Sequence, residues 1–140
     1  MPVIRFNGWS SPGRSPSTRG QRLVTYETGA QNISSGVTRF EPGGKVPLHY
    51  HNVEEQVTII EGEAVAIIDG ERVVLHAFDT TYVPAGVPHH FMNESDGPMA
   101  ILYIYPSPYV ERHFPDTGGM DWHGKKPETE GRYPRPQKSR

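Results

Sequence analysis

No stretch of a dozen residues in this 140-residue chain repeats apolar side chains at the helical period, and 15 Gly and 14 Pro punctuate it throughout. Both residue types interrupt helix interiors, so a helical bundle is excluded and many short strands joined by tight turns are expected. Residues favouring strands gather in short runs at 23–26, 33–40, 46–50, 56–60, 64–68, 72–76, 80–83, 89–92 and 99–105, each flanked by turn signals. Asp69-Gly70 between two such runs is the signature of a two-residue type I′ hairpin. Pro42-Gly43-Gly44, Glu61-Gly62-Glu63 and Ser95-Asp96-Gly97-Pro98 mark further turns. The reading is an all-β sandwich or barrel of jelly-roll type. Residues 3–6 read as a lead-in strand followed by a loop, and 109–114 fits a short helix or a last strand equally well.

Composition narrows the function classes. Cysteine is absent, which excludes disulfides, thiolate metal sites and a cysteine nucleophile. The net charge of −2 leaves no nucleic-acid footprint over the chain as a whole, and no apolar run is long enough to span a membrane as a helix. Nothing resembles a signal peptide, which makes a cytoplasmic protein the expectation. The charge is uneven: residues 123–140 hold six basic and two acidic side chains, a net of +4 on a Pro-rich segment too poor in aliphatic residues to fold alone. The expected organisation is an arm at 1–21, a barrel over 22–110 and a C-terminal extension at 111–140 ending in an irregular basic tail. The segment at 3–6 stands apart from the core runs as if added to a sheet edge, the chain's own or a partner's, and a homodimer is expected.

The histidines carry the chemical information. His49-Tyr50-His51 places two imidazoles at i and i+2, on one face of an extended segment, and Glu55 follows at even spacing. In the second cluster, Pro84 and Gly86 build a rigid turn and His89 opens the strand after it. Three imidazoles and a carboxylate suit Fe, Mn, Co, Ni or Zn, in contrast to the all-oxygen sites of Ca or Mg.

Gly43-x5-His49-x-His51-x3-Glu55-x6-Gly62 resembles the first motif of the cupin superfamily at every defined position, and Pro84-x-Gly86-x2-His89-x3-Asn93 resembles the second. The resemblance implies a small single-domain cupin, a jelly-roll (double-stranded β-helix) barrel, with His49, His51, Glu55 and His89 as ligands of a divalent transition metal. One position departs from the pattern: where the family usually has Gly six residues before Pro84, this chain has Phe78, so an altered turn is expected there. Dimethylsulfoniopropionate lyases of this superfamily usually carry Tyr two residues after the ligand Glu. Val57 stands there, which argues against that reaction.

Parity supplies the remaining site candidates. Val57, Ile59, Phe91 and Asn93 share a face with the ligands on their strands and are expected to line a substrate pocket. Arg39 is the one strong base within a predicted core strand and a candidate clamp for a substrate anion. In the run 99–105, either Leu102 and Ile104 or Tyr103 and Tyr105 face inward, and the aliphatic pair is the expected core set. Tyr103 and Tyr105 become candidate proton donors if they face in, and His113 is a third candidate, closing over the mouth with Tyr109, Arg112 and Asp116. His76 and His123 match no motif and read as ordinary polar residues. Two functions are compatible with these features: a metal-dependent enzyme doing isomerase, lyase, decarboxylase or dioxygenase chemistry on a polar small molecule, and a non-catalytic ligand-binding or sensory barrel. A cavity walled by aliphatic side chains alone would favour the second.

Overall fold

The computed structural model describes residues 3–9, 11–13 and 15–128. Eleven strands run in chain order: β1 (Ser11–Pro12), β2 (Thr18–Arg22), β3 (Ser34–Phe40), β4 (Glu55–Glu61), β5 (Glu63–Ile68), β6 (Glu71–His76), β7 (Thr80–Val83), β8 (His89–Met92), β9 (Met99–Tyr105), β10 (Tyr109–Phe114) and β11 (Gly119–Gly124). The only helical element among the described residues is a 3-10 turn at Tyr26–Thr28. No helix there is long and apolar enough to cross a membrane.

The strands form two facing layers. One is a six-stranded antiparallel sheet in the order β1-β2-β3-β9-β4-β7. The other is built on β6-β5-β8. Residues 45–50 extend this second layer through isolated bridges, Lys45 and His49 to β8 and Tyr50 to His113 of β10, and the β10–β11 hairpin follows. Phe40, Val57, Ile59, Met99 and Ile101 of the first layer meet Ala64, Ala66, Leu75 and Phe91 of the second in one core cluster. This is the jelly-roll arrangement expected from the turn pattern.

Local chemistry explains the joints. Asp69 and Gly70 both adopt positive φ (52° and 82°), as a type I′ hairpin requires. Gly62 also has positive φ (74°), and a Cβ there would overlap the Pro98 carbonyl oxygen. At 78 the backbone keeps the left-handed conformation, φ 73°, even though the residue is Phe. Phe78 thus adopts a conformation that favours glycine, and its side chain is left 79% exposed.

Three sequence expectations need correction. Residues 3–6 form no strand; Gln21 ties the segment down, its Nε2 donating to the Arg5 carbonyl and its Oε1 accepting from the Asn7 amide. The run 23–26 is not a strand, since the chain turns into the 3-10 segment there. The run 46–50 makes bridges but no continuous strand, because Pro47 has no N–H to give the ladder. Residues 109–114 are a strand, and Gly118-Gly119 turns it into β11, which was not anticipated. Of the basic tail, residues 129–140 lie outside the described residues.

Candidate metal centre and its cavity

The two motif segments are tied to each other directly. The Gly86 amide donates to the His51 carbonyl (2.9 Å), and His49 and His89 exchange backbone hydrogen bonds in both directions (3.1 and 2.8 Å). Glu55 opens β4, opposite Val83 at the end of β7, so the turn at 84–88 begins beside it. The imidazoles of His49, His51 and His89 converge as a result, with one ring nitrogen of each within 4.8 Å of the others. Glu55 Oε1 lies 2.8 Å from His89 Nε2 and 3.5 Å from His51 Nε2. His51, Glu55 and His89 are buried, and His49 is half-buried.

Each ring is oriented through its other nitrogen. Nδ1 of His49 contacts the Pro47 carbonyl (2.7 Å), Nδ1 of His51 that of Glu111 (2.8 Å), and Nδ1 of His89 that of Val87 (2.9 Å). A carbonyl oxygen can only accept, so all three Nδ1 atoms donate and carry the proton. With Nδ1 engaged in this way, Nε2 is the ring nitrogen left to face the cluster. Burial lowers the pKa of His49 well below its ordinary value, and the nearby His51 and His89 reinforce this. Burial alone would raise the Glu55 carboxyl; its contacts with His51 and His89 outweigh that and hold it well below the usual carboxylate range. Imidazole nitrogens and a carboxylate thus face one another in a buried pocket. That donor set fits a transition-metal cation.

His49, Glu55 and His89 line a cavity of about 750 Å³, within the range of small-molecule sites. Val57 and Phe91 line it, whereas Ile59 is sealed in the core. Asn93 is buried but does not line the cavity: its amide donates to the Phe40 and Gly97 carbonyls and its Oδ1 accepts from Ser95, which shapes the 93–97 turn. Arg39 is also outside the lining, paired with Glu61 at 3.2 Å. His113 stacks on Tyr50 (4.8 Å between centroids, 5° between planes) and bonds to Glu111 Oε1 (2.7 Å), away from the cavity.

The tyrosine parity is the reverse of the expected one. Tyr103 and Tyr105 are buried facing the cavity, and Leu102 and Ile104 are half-buried on the other face. Register decides this: Tyr103 pairs with Val57 of β4 and with Gly36 of β3, and paired residues share a face. Gly36 is what admits the ring, since a Cβ there would overlap the Tyr103 hydroxyl. The Tyr105 hydroxyl reaches within 3.3 Å of His51 Nε2. Burial raises both phenols, Tyr103 to about 12, and Glu55 raises Tyr105 further, so both keep their O–H.

His123 of β11 also lines the cavity, edge-on to the rings of Tyr103 and Tyr105 (5.1 and 5.4 Å). Arg112 Nη1 lies 3.3 Å from its Nδ1, while Asp121 grips Arg112 Nε and Nη2 (2.7 and 3.1 Å). A guanidinium only donates, so Nδ1 accepts and the ring proton sits on Nε2, which is buried without a hydrogen-bond partner among the described residues. Burial first, then Arg112, lowers the His123 pKa well below the ordinary histidine value. The Gly118-Gly119 pair between two runs rich in aromatics was the available signal for this hairpin.

The sequence pattern described as Cupin domain matches residues 36–105, half of the chain. MJ1618 of Methanocaldococcus jannaschii, itself uncharacterised, is 34% identical over 68 residues, covering 48% of this chain and 54% of that protein. Polyketide synthase CurC of Streptomyces cyaneus is 28% identical over 100 residues, covering 71% of this chain and 63% of CurC. The chain thus spans less than two thirds of the length of either relative. Among solved structures, a sugar phosphate isomerase from a cupin superfamily, of Silicibacter pomeroyi, superposes with a TM-score of 0.63 at 26% identity, covering 86% of this chain and 88% of that one.

Proposed function

The chain belongs to the cupin family, and from that premise we propose that it is a metal-dependent enzyme acting on an oxygen-bearing small molecule. The observation that carries this reading is the convergence of His49, His51 and His89 ring nitrogens with the Glu55 carboxylate while each Nδ1 is engaged by a backbone carbonyl. These four side chains would hold the ion; iron, manganese, nickel, zinc and cobalt all suit the set. Such an ion supplies Lewis-acid polarisation of a bound oxygen or, if it is iron, activation of dioxygen.

The chain's own residues provide the rest. Val57, Phe91 and Phe114 form an apolar wall that limits water. Tyr105, whose hydroxyl sits beside His51, is the proton-carrying group nearest the ligands, and Tyr103 lies next along the wall. Protonated phenols at these positions favour an enzyme over a purely binding barrel, for which an aliphatic wall would suffice. The aromatic lining and the cavity volume favour substrates of the size and oxygenation of aromatic polyketides, in keeping with the likeness to CurC. A second reading, isomerisation of a sugar phosphate, draws on the likeness to the Silicibacter structure and on the two arginines that line the same cavity.

The test is elemental analysis of protein purified without added metal. About one transition-metal ion per chain is expected, and none in a folded His51→Ala variant. Full occupancy in that variant, or a wild-type protein that neither carries nor takes up such an ion, would overturn the proposal.

A further inference from the structure

The cavity walls do not share the charge of the chain. The whole chain carries −2, yet among the described residues Glu55 is the only carboxylate lining the cavity, and Arg22 and Arg112 both line it. Glu55 is engaged by His51 and His89 at the cluster. Asp121 engages Arg112 and, with His123, fixes the direction of its guanidinium. Arg22 differs. At the exposed end of β2 it lies beside Gly124, whose positive φ (101°) excludes most other residues, and no described carboxylate pairs with it. Tyr103 lines the same wall and keeps its proton. A guanidinium without a counter-ion and a phenol O–H, facing the same partly apolar space, form a recognition site for an oxyanion.

We propose that the cavity has a second, anion-recognising subsite made by Arg22, with Arg112 and the Tyr103 hydroxyl beside it, so that the ligand carries a carboxylate or phosphate away from the oxygens that meet the metal. The inference deepens the proposed function and rests on it for the metal end alone; the anion end does not require an ion to be bound. Positive walls in an otherwise acidic protein also draw anionic ligands in from solution, an effect that weakens as salt rises.

The experiment uses the full chain stripped of metal with EDTA and titrated by calorimetry with inorganic phosphate and, separately, with benzoate. Saturable binding of at least one anion is expected. Arg22→Gln should weaken it at least tenfold, Arg22→Lys should retain most of it, and Arg39→Gln, which removes an arginine outside the cavity, should leave it unchanged. Preference for phosphate over benzoate, or the reverse, identifies which oxyanion the subsite serves. If neither anion binds the metal-free protein, or if binding is indifferent to Arg22→Gln while circular dichroism shows every variant folded, the subsite is refuted. Metal content in the same preparations reports on the metal centre independently, so failure of one reading is not mistaken for failure of the other.

Discussion

The Nδ1–H of His51 donates to the carbonyl of Glu111, 2.8 Å away and 60 residues further along the chain, so a strand outside both motifs orients a motif histidine. Asn52 secures that strand: its Oδ1 accepts from the Glu111 amide (2.8 Å) and its Nδ2 donates to the Tyr109 carbonyl (3.2 Å). Partners of this kind typically govern metal affinity by about 10–100-fold. Asn52→Ala is therefore expected to weaken metal binding by that order while all four ligands stay in place. Competition against a chromogenic chelator measures it, and unchanged affinity would show that β10 does not orient the ring.

Phe78 pays a conformational penalty for a turn that glycine would make freely. A non-glycine residue in the left-handed region costs about 1–2 kcal/mol, and the exposed ring recovers little by packing. Phe78→Gly should raise stability by about 1 kcal/mol despite the added freedom of the unfolded chain. Phe78→Ala, which keeps the Cβ, should not. Urea midpoints of the two variants decide the matter.

Tyr103 occupies the space that Gly36 leaves open. Gly36→Ala overpacks that contact and should cost about 1–3 kcal/mol. Shortening the partner relieves the clash, so in a Gly36→Ala/Tyr103→Leu double variant the two effects should fall well short of additive. Additive losses would mean that the two residues do not meet.

Stability of the metal-free protein should depend on pH in a defined direction. Unfolded, His49 and His123 take up a proton near 6.5, whereas burial keeps both rings neutral to lower pH in the fold. Between those limits the unfolded chain binds more protons, so stability rises with pH and falls on acidification below 6.5. The slope is at most about 1.4 kcal/mol per pH unit for each ring. Glu55 adds a separate loss further into acid, since its depressed carboxyl favours the fold only while ionised. Denaturant midpoints between about pH 8 and pH 5 should show the fall, and His123→Gln should flatten it. A stability that is level across that range would contradict the burial of these rings.

The Gly and Pro punctuation and the strand-forming runs were enough to read the all-β fold and the Asp69-Gly70 hairpin, and alternation was enough to place His49 and His51 on one face. Such features are local: alternation along a strand and the φ demands of a turn act over a few residues, so the sequence displays them. Phe78 shows the limit of even local reading. The surrounding bonds, from its own amide to the Ile59 carbonyl and from the Asp79 amide to the His76 carbonyl, impose the glycine conformation on a residue that disfavours it.

Which tyrosines face the cavity could not be read from β9 alone, because 102/104 and 103/105 are equally regular alternations. Only pairing with Val57 and Gly36, on strands far away in the chain, selects the face. The same holds for His123 and Arg22, which share a cavity wall only after β11 folds back on β10 and β2 joins β3. The sequence by itself marked His49, His51, Glu55 and His89 as candidate ligands, since they fall on two short motif segments that resemble the cupin pattern and whose alternation and turns are local. The tertiary structure decided the cavity around them, because strand register and hairpin closure bring together side chains that no spacing in the sequence connects.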